Sequence, residues 1–157
     1  MLNRMPSWPR LILALLLLWL SGCATREPDD IRVERRTIVE TALDQIGRPY
    51  RYGGTDPAGF DCSGLVYYSY AAAGLSVPRS TGELRHAGRK IHLRDARPGD
   101  ILLYQFRDRA HPSMHAAIYL GDGMMVHAPA SGGQVETIAL EQSPWPDRFV
   151  TAIRLLP

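Results

Sequence analysis

Three side chains in this sequence have the types needed for a nucleophilic site: Cys62, His115 and His127. A thiolate can attack a carbonyl carbon while one imidazole takes the proton and returns it. A second polar group then holds that first ring in the working tautomer. Asp or Asn usually fills the third role, and a neutral His can fill it by accepting through one ring nitrogen. The other histidines, His86, His92 and His111, stand in polar or loop-like surroundings and read as solvent-exposed. Cys62, His115 and His127 are also legitimate zinc ligands. Cys62 has no close-spaced cysteine partner, so neither a metal nor a cofactor is expected.

The elements that must position these groups are legible nearby. Gly59-Phe60-Asp61-Cys62-Ser63-Gly64 leads into a run free of Gly and Pro that stops at Gly74. That pattern predicts a helix with Asp61 as N-cap, its carboxylate accepting from the Gly64 N–H, and Cys62 in the first turn. The helix dipole favours a thiolate there, and the Asp61 carboxylate opposes it. A cationic histidine would settle the competition, giving a Cys62 that alkylates well below pH ~8.5, the ordinary thiol value.

His115-Ala116-Ala117-Ile118-Tyr119-Leu120, the turn signal Gly121-Asp122-Gly123, and Met124-Met125-Val126-His127-Ala128 read as a β-hairpin. A plain two-residue turn at Asp122-Gly123 puts the two histidines on opposite faces. A cooperating pair needs either a three-residue loop centred on Asp122, which sets His127 opposite Ala117, or a bulge at Gly123.

Upstream, residues 33–46 place Ile38, Ala42 and Ile46 on one helical face before Gly47. Ser80 and Glu83 form a capping-box pattern for a short helix over 80–86. Residues 100–105, 115–120, 124–128, 135–138 and 149–155 read as strands. Helices first and strands after give an α+β fold with an antiparallel sheet, the cysteine helix packing on it and bringing Cys62 to the histidine face. Tyr67, Tyr68 and Tyr70 read as packing residues, and 131–133 and 143–146 as loops that could flank a substrate groove.

The chain has 157 residues, 45% apolar and 22% charged, which fits one globular domain and excludes a disordered chain. Arg4 and Arg10 are the only charges in residues 1–22, leaving 16 of the 18 basic side chains against all 16 acidic ones. The slight basicity belongs to that leader, and no nucleic-acid partner is expected. The apolar run 11–20 spans only ~15 Å as a helix, about half a bilayer core, and reads as a secretory signal. Leu20-Ser21-Gly22-Cys23 resembles the lipobox of bacterial lipoproteins. The resemblance implies cleavage before Cys23 and lipidation of its sulfur, which would leave Cys62 without a disulfide partner. An ordinary signal peptide ending near a cysteine is the alternative. The expected organisation is 1–22 leader, 23–32 lipidated cysteine and tether, and 33–157 a single domain. The lipid anchors it to a membrane. Ala24, where an aspartate would signal inner-membrane retention, points to the outer membrane, facing the periplasm.

Several segments, in order, resemble the NlpC-type family of bacterial cell-wall cysteine peptidases, which have a papain-like fold. They are Pro49-Tyr50-Arg51-Tyr52-Gly53-Gly54, Phe60-Asp61-Cys62-Ser63-Gly64-Leu65-Val66, Val77-Pro78-Arg79-Ser80-Thr81, Arg97-Pro98-Gly99-Asp100-Ile101-Leu102-Leu103-Tyr104, His115 to Gly121, His127-Ala128-Pro129 and Arg148-Phe149-Val150. The resemblance implies Cys62 as nucleophile, His115 as general base and acid, His127 as orienting partner, and Tyr50 as a hydroxyl aimed at the site beside the Cys62 N–H oxyanion donor. It implies action on peptidoglycan stem peptides, within a stem or at a crosslink, and a monomer is the default expectation. An inactive wall-binding lipoprotein on the same fold is the other reading. Two segments depart from the pattern: His115-Ala116-Ala117 replaces the frequent His-Val-Gly, and Leu84 stands where relatives often carry glutamine.

Overall fold

The computed structural model describes residues 28–107, 112–130 and 132–157. The expected leader, Cys23, its lipidation and His111 lie outside the described residues. Among the described residues, no helix is long and apolar enough to cross a membrane.

Helix α1 spans Asp29–Leu43, so residues 29–32 of the expected tether form its first turn. Asp29 and Asp30 sit where the helix dipole favours acids. The helix also ends early, before Ile46. Gly47 turns the chain with a φ of 84° and donates its N–H to the Val135 carbonyl at 2.8 Å. Ile46 is therefore exposed, and the buried stripe is Arg35, Ile38 and Ala42.

A small hairpin follows, β1 (Thr55–Asp56) against β2 (Gly59–Phe60). Helix α2, Cys62–Ala72, starts and stops where its local signals put it. At its C-terminus the Leu75 N–H bonds the Tyr70 carbonyl and the Gly74 N–H bonds the Ala71 carbonyl, with Gly74 at a φ of 75°. Helix α3 is short, Thr81–Leu84, capped by Ser80, whose hydroxyl accepts from the Glu83 N–H.

The remaining strands form one antiparallel sheet in the order β3-β8-β4-β5-β6-β7. They are β3 (Arg89–Ile91), β4 (Ile101–Arg107), β5 (Pro112–Gly121), β6 (Met124–His127), β7 (Glu136–Ala139) and β8 (Phe149–Arg154). A one-turn helix, α4 (Trp145–Arg148), runs straight into β8. Sequence reading missed β3, an exposed three-residue edge strand, and read 143–146 as loop alone.

The sheet separates two apolar clusters. Ile101, Leu103, Ala116, Ile118 and Val126 face the helices, with Ile38, Leu65 and Tyr70. Leu102, Tyr104, Ala117, Met125 and Ala152 face the other way, under Trp145. The alternation is the period-two geometry of strands. Of the three tyrosines, Tyr70 is buried and donates to the Gly99 carbonyl at 2.6 Å, and Tyr68 packs on Phe60. Tyr67 is exposed.

A buried ion network joins α1 and β8 through Asp100, the residue just before β4. Asp100 takes Arg35 Nη1 at 3.0 Å, Arg154 Nη2 at 2.7 Å and the Arg97 backbone N–H at 2.8 Å. All three charged side chains are almost fully buried.

Candidate active site

Asp61 is the organising residue of the cysteine loop. Its carboxylate accepts the Gly64 N–H at 2.7 Å, the Gly53 N–H at 2.9 Å and Arg79 Nη2 at 2.7 Å. Burial works against its charge, but the Arg79 guanidinium and the Gly64 and Gly53 N–H groups outweigh it and hold the carboxyl below its usual range. Arg79 also donates to Ser63 Oγ at 2.9 Å. It stands in the Val77-Pro78-Arg79 motif, but its role as counter-ion of the cap is visible only in the fold. The loop lies so close to the helix start that a Cβ on Gly64 would stand 1.8 Å from the Gly54 carbonyl oxygen.

Cys62 occupies the first position of α2 and is a free, half-buried thiol. Burial pushes its pKa up. The Ala116 N–H pulls it back, Asp61 adds to the rise, and the N–H groups of Ser63 and Cys62 itself lower it; the net direction is upward. This corrects the expectation of a thiol that alkylates well below its ordinary pH. The helix N–H groups act as anticipated, but they do not offset burial.

The two histidines meet. His115 Nε2 and His127 Nδ1 are 3.0 Å apart, with the rings nearly perpendicular. The register is the one expected of a three-residue loop, with Ala117 opposite His127, but the turn reaches it by another route. Gly121 pairs with Met124, which leaves a two-residue turn with positive φ at Asp122 and Gly123. A bulge between Tyr119 and Gly121 then shifts the pairing to Tyr119 with Met125 and Ile118 with Val126. Extending that register sets Ala117 opposite His127. The bulge sits at Leu120 rather than at Gly123, but it restores the histidines to one face.

That face is not the one α2 packs on. The helix covers the Ala116 and Ile118 side, whereas His115 and His127 alternate with it and lie under Trp145. Cys62 shares one cleft with the imidazoles, which lie beyond the last β5–β6 pair, Ile118 with Val126, and the Ala116 N–H is directed at its sulfur. Small residues at 116 and 117 suit this close passage, and both are buried.

Cys62, His115, His127, Tyr50, Asp61 and Arg79 line one cleft of about 1000 Å³, together with Trp145 and Arg148. Trp145 was missed as a site residue. It is almost fully buried, and its ring centroid lies 4.8 Å from that of His127 and 5.5 Å from that of His115. Arg148 stacks over Phe106 at 5.8 Å. Leu84 is wholly buried in the core, so it offers no polar group to the cleft. His86 and His92 are exposed, away from the site. Among the described residues no three His, Cys, Asp or Glu side chains are grouped so as to hold a metal ion.

Tyr50 is held by its N–H to the Gly133 carbonyl at 2.8 Å. Burial, then the nearby Cys62, Asp61 and Tyr52, raise its pKa against the pull of Arg79, so its hydroxyl keeps its proton and can donate.

Both imidazoles are neutral at pH 7. Burial lowers His115 to about 3, with His127 contributing, and lowers His127 to about 4. The unfolded chain takes up these protons from about pH 6.5 downward, while the folded chain does not. The stability they contribute is therefore complete above pH ~6.5 and is lost as pH falls toward 4. The thermal midpoint should fall between pH 6.5 and 4.5, above the range where most carboxylates titrate, and fall less steeply in His127→Asn. A midpoint flat across that window would contradict buried neutral rings.

The NlpC/P60 family model matches residues 47–154, and the chain belongs to that family. It is 41% identical over 124 residues to a probable endopeptidase of Mycobacterium tuberculosis, covering 79% of this chain and 31% of the relative. It is 35% identical over 137 residues to the murein DD-endopeptidase MepH of Escherichia coli, covering 80% of this chain and 48% of that protein. Among solved structures, the NlpC/p60 domain of the peptidoglycan hydrolase SagA matches with a TM-score of 0.65 and 34% identity, covering 77% of this chain and 98% of that one. The antiparallel sheet with a cysteine at a helix N-terminus is thus the papain-like fold that the sequence motifs imply. The chain spans about a third to a half of the length of these curated relatives.

Proposed function

We propose that this protein is a peptidoglycan endopeptidase that hydrolyses amide bonds in wall stem peptides or crosslinks through a thiol mechanism. The observation that carries the reading is the His115–His127 contact of 3.0 Å in the cleft that also holds Cys62. His115 spends Nε2 on His127, so Nδ1 is the nitrogen left to serve the thiol. As Cys62 Sγ attacks the carbonyl carbon, its proton passes to His115 Nδ1. With thiol and imidazole both neutral at rest, this transfer accompanies attack. The Cys62 N–H, one of the unpaired donors of the helix start, and the Tyr50 hydroxyl receive the developing oxyanion. His115 then protonates the leaving amine. It next takes a proton from water, which attacks the thioester, and the carboxylic acid and free thiol are restored.

The test is purified protein on intact wall sacculi and on defined muropeptides, with products weighed by mass spectrometry. New termini at a D-alanine crosslink or within a stem identify the bond. A relative named as a DD-endopeptidase favours the crosslink. No released muropeptide from either substrate would end the enzymatic reading and leave wall binding.

The chain acts from a lipid anchor on Cys23, with residues 24–28 as the tether, at the outer membrane facing the periplasm. The lipobox-like Leu20-Ser21-Gly22-Cys23 supports this. Cys23→Ser should move the protein from the membrane to the soluble fraction, and unchanged membrane association would contradict it.

A further inference from the structure

Nε2 of His127 is buried without a hydrogen-bond partner. The requirements of the neighbouring ring say which proton it should carry. Across the 3.0 Å contact between His115 Nε2 and His127 Nδ1, one nitrogen donates and the other accepts. If His127 donates, neutral His115 carries its proton on Nδ1, where it blocks uptake of a proton from the thiol. The working arrangement is the reverse. His115 donates from Nε2, His127 accepts at Nδ1, and neutral His127 carries its proton on Nε2.

A buried N–H needs an acceptor. Oε1 of Glu136 stands 3.5 Å from His127 Nε2. His127 and Glu136 are direct partners on β6 and β7, so their side chains rise together from the sheet. The His127 side chain is 2% exposed and that of Glu136 56%, so the carboxylate is free to swing while the ring is not. A small side-chain rotation brings the distance to the ~3 Å of a formed hydrogen bond. Trp145, 4.8 Å from the His127 ring, packs against the same imidazole.

We propose that Glu136 is a positioning residue whose carboxylate holds the proton of His127 on Nε2, leaving Nδ1 to accept from His115. The inference rests on the peptidase reading of His115 and His127. When His115 takes the thiol's proton, the Glu136 charge also stabilises the imidazolium through His127. Glu136 acts through the two rings and does not touch the substrate. Sequence reading gave it no role, because its only signal is a strand position opposite His127.

Three variants and two readouts independent of substrate test it. Glu136→Ala should lower kcat about tenfold with KM unchanged, and slow iodoacetamide alkylation of Cys62 at pH 7 by a similar factor. In histidine ¹⁵N spectra, the wild-type His127 proton should sit on Nε2, and the variant should show a mixture of tautomers. Glu136→Asp should recover part of the rate. Glu136→Gln keeps the shape and an acceptor but no charge, so it should retain the tautomer and recover part of the rate. It also guards against a folding defect in the alanine chain. An unchanged His127 spectrum in Glu136→Ala, with wild-type alkylation rates in both Glu136→Ala and Glu136→Gln, would overturn the proposal. A wild-type protein that alkylates and shows the Nε2 tautomer but cuts no muropeptide would overturn the peptidase reading instead.

Discussion

Replacing Cys62 by alanine should reduce release of muropeptides from sacculi by at least about a thousandfold, since no other group can form the acyl intermediate. The substitution leaves the fold in place. Alanine is at ease in the first turn of α2, and the Asp61 cap on the Gly64 N–H does not involve the sulfur. The thermal midpoint should stay within a few degrees of wild type, which separates lost chemistry from lost structure. Equal release by the two chains would remove Cys62 from the reaction. A chain that fails to bind sacculi, by contrast, would point to damage in the cleft walls.

The largest effect on stability should come from Asp100→Ala. Asp100 is 1% exposed and answers two buried guanidiniums, Arg35 from α1 and Arg154 from β8. Removing it takes the shared carboxylate from both guanidiniums and opens a cavity between them, with the Pro98 and Asp95 carbonyls still in place. Breaking a buried pair in this way costs about 3–5 kcal/mol, which is a large part of a domain's total stability. Urea unfolding followed by tryptophan fluorescence measures the loss. A cost under about 1 kcal/mol would mean that water enters and solvates the arginines in place of the carboxylate.

That network shows what was hidden in the sequence. Arg35, Asp100 and Arg154 lie far apart along the chain, and nothing local marks them as one cluster. The cysteine helix was legible because its signals are local: Asp61 bonds a backbone group three residues on, and Gly74 closes the last turn. The pairing of His115 with His127 was legible as a condition on register. The bulge that meets the condition falls at Leu120, where side-chain type gives no hint of it. Ile46 was assigned to a buried face by periodicity alone, and the fold bends the chain away at Gly47 before that face continues. Trp145 and β3 were missed for a common reason. Each is a short segment flanked by residues that favour turns or solvent, and only the neighbouring strands give it a place.

β5 turns its Ala116 and Ile118 face to the helix of the nucleophile and carries His115 on the other, so each half of the chemistry is seated in a different layer. The sulfur takes its position from the helical layer and the imidazoles from the tryptophan-capped one. Mutational drift in one layer can move one reactant without disturbing the other. Selection can therefore retune the gap between them by small steps from two directions, with the strand as the common datum.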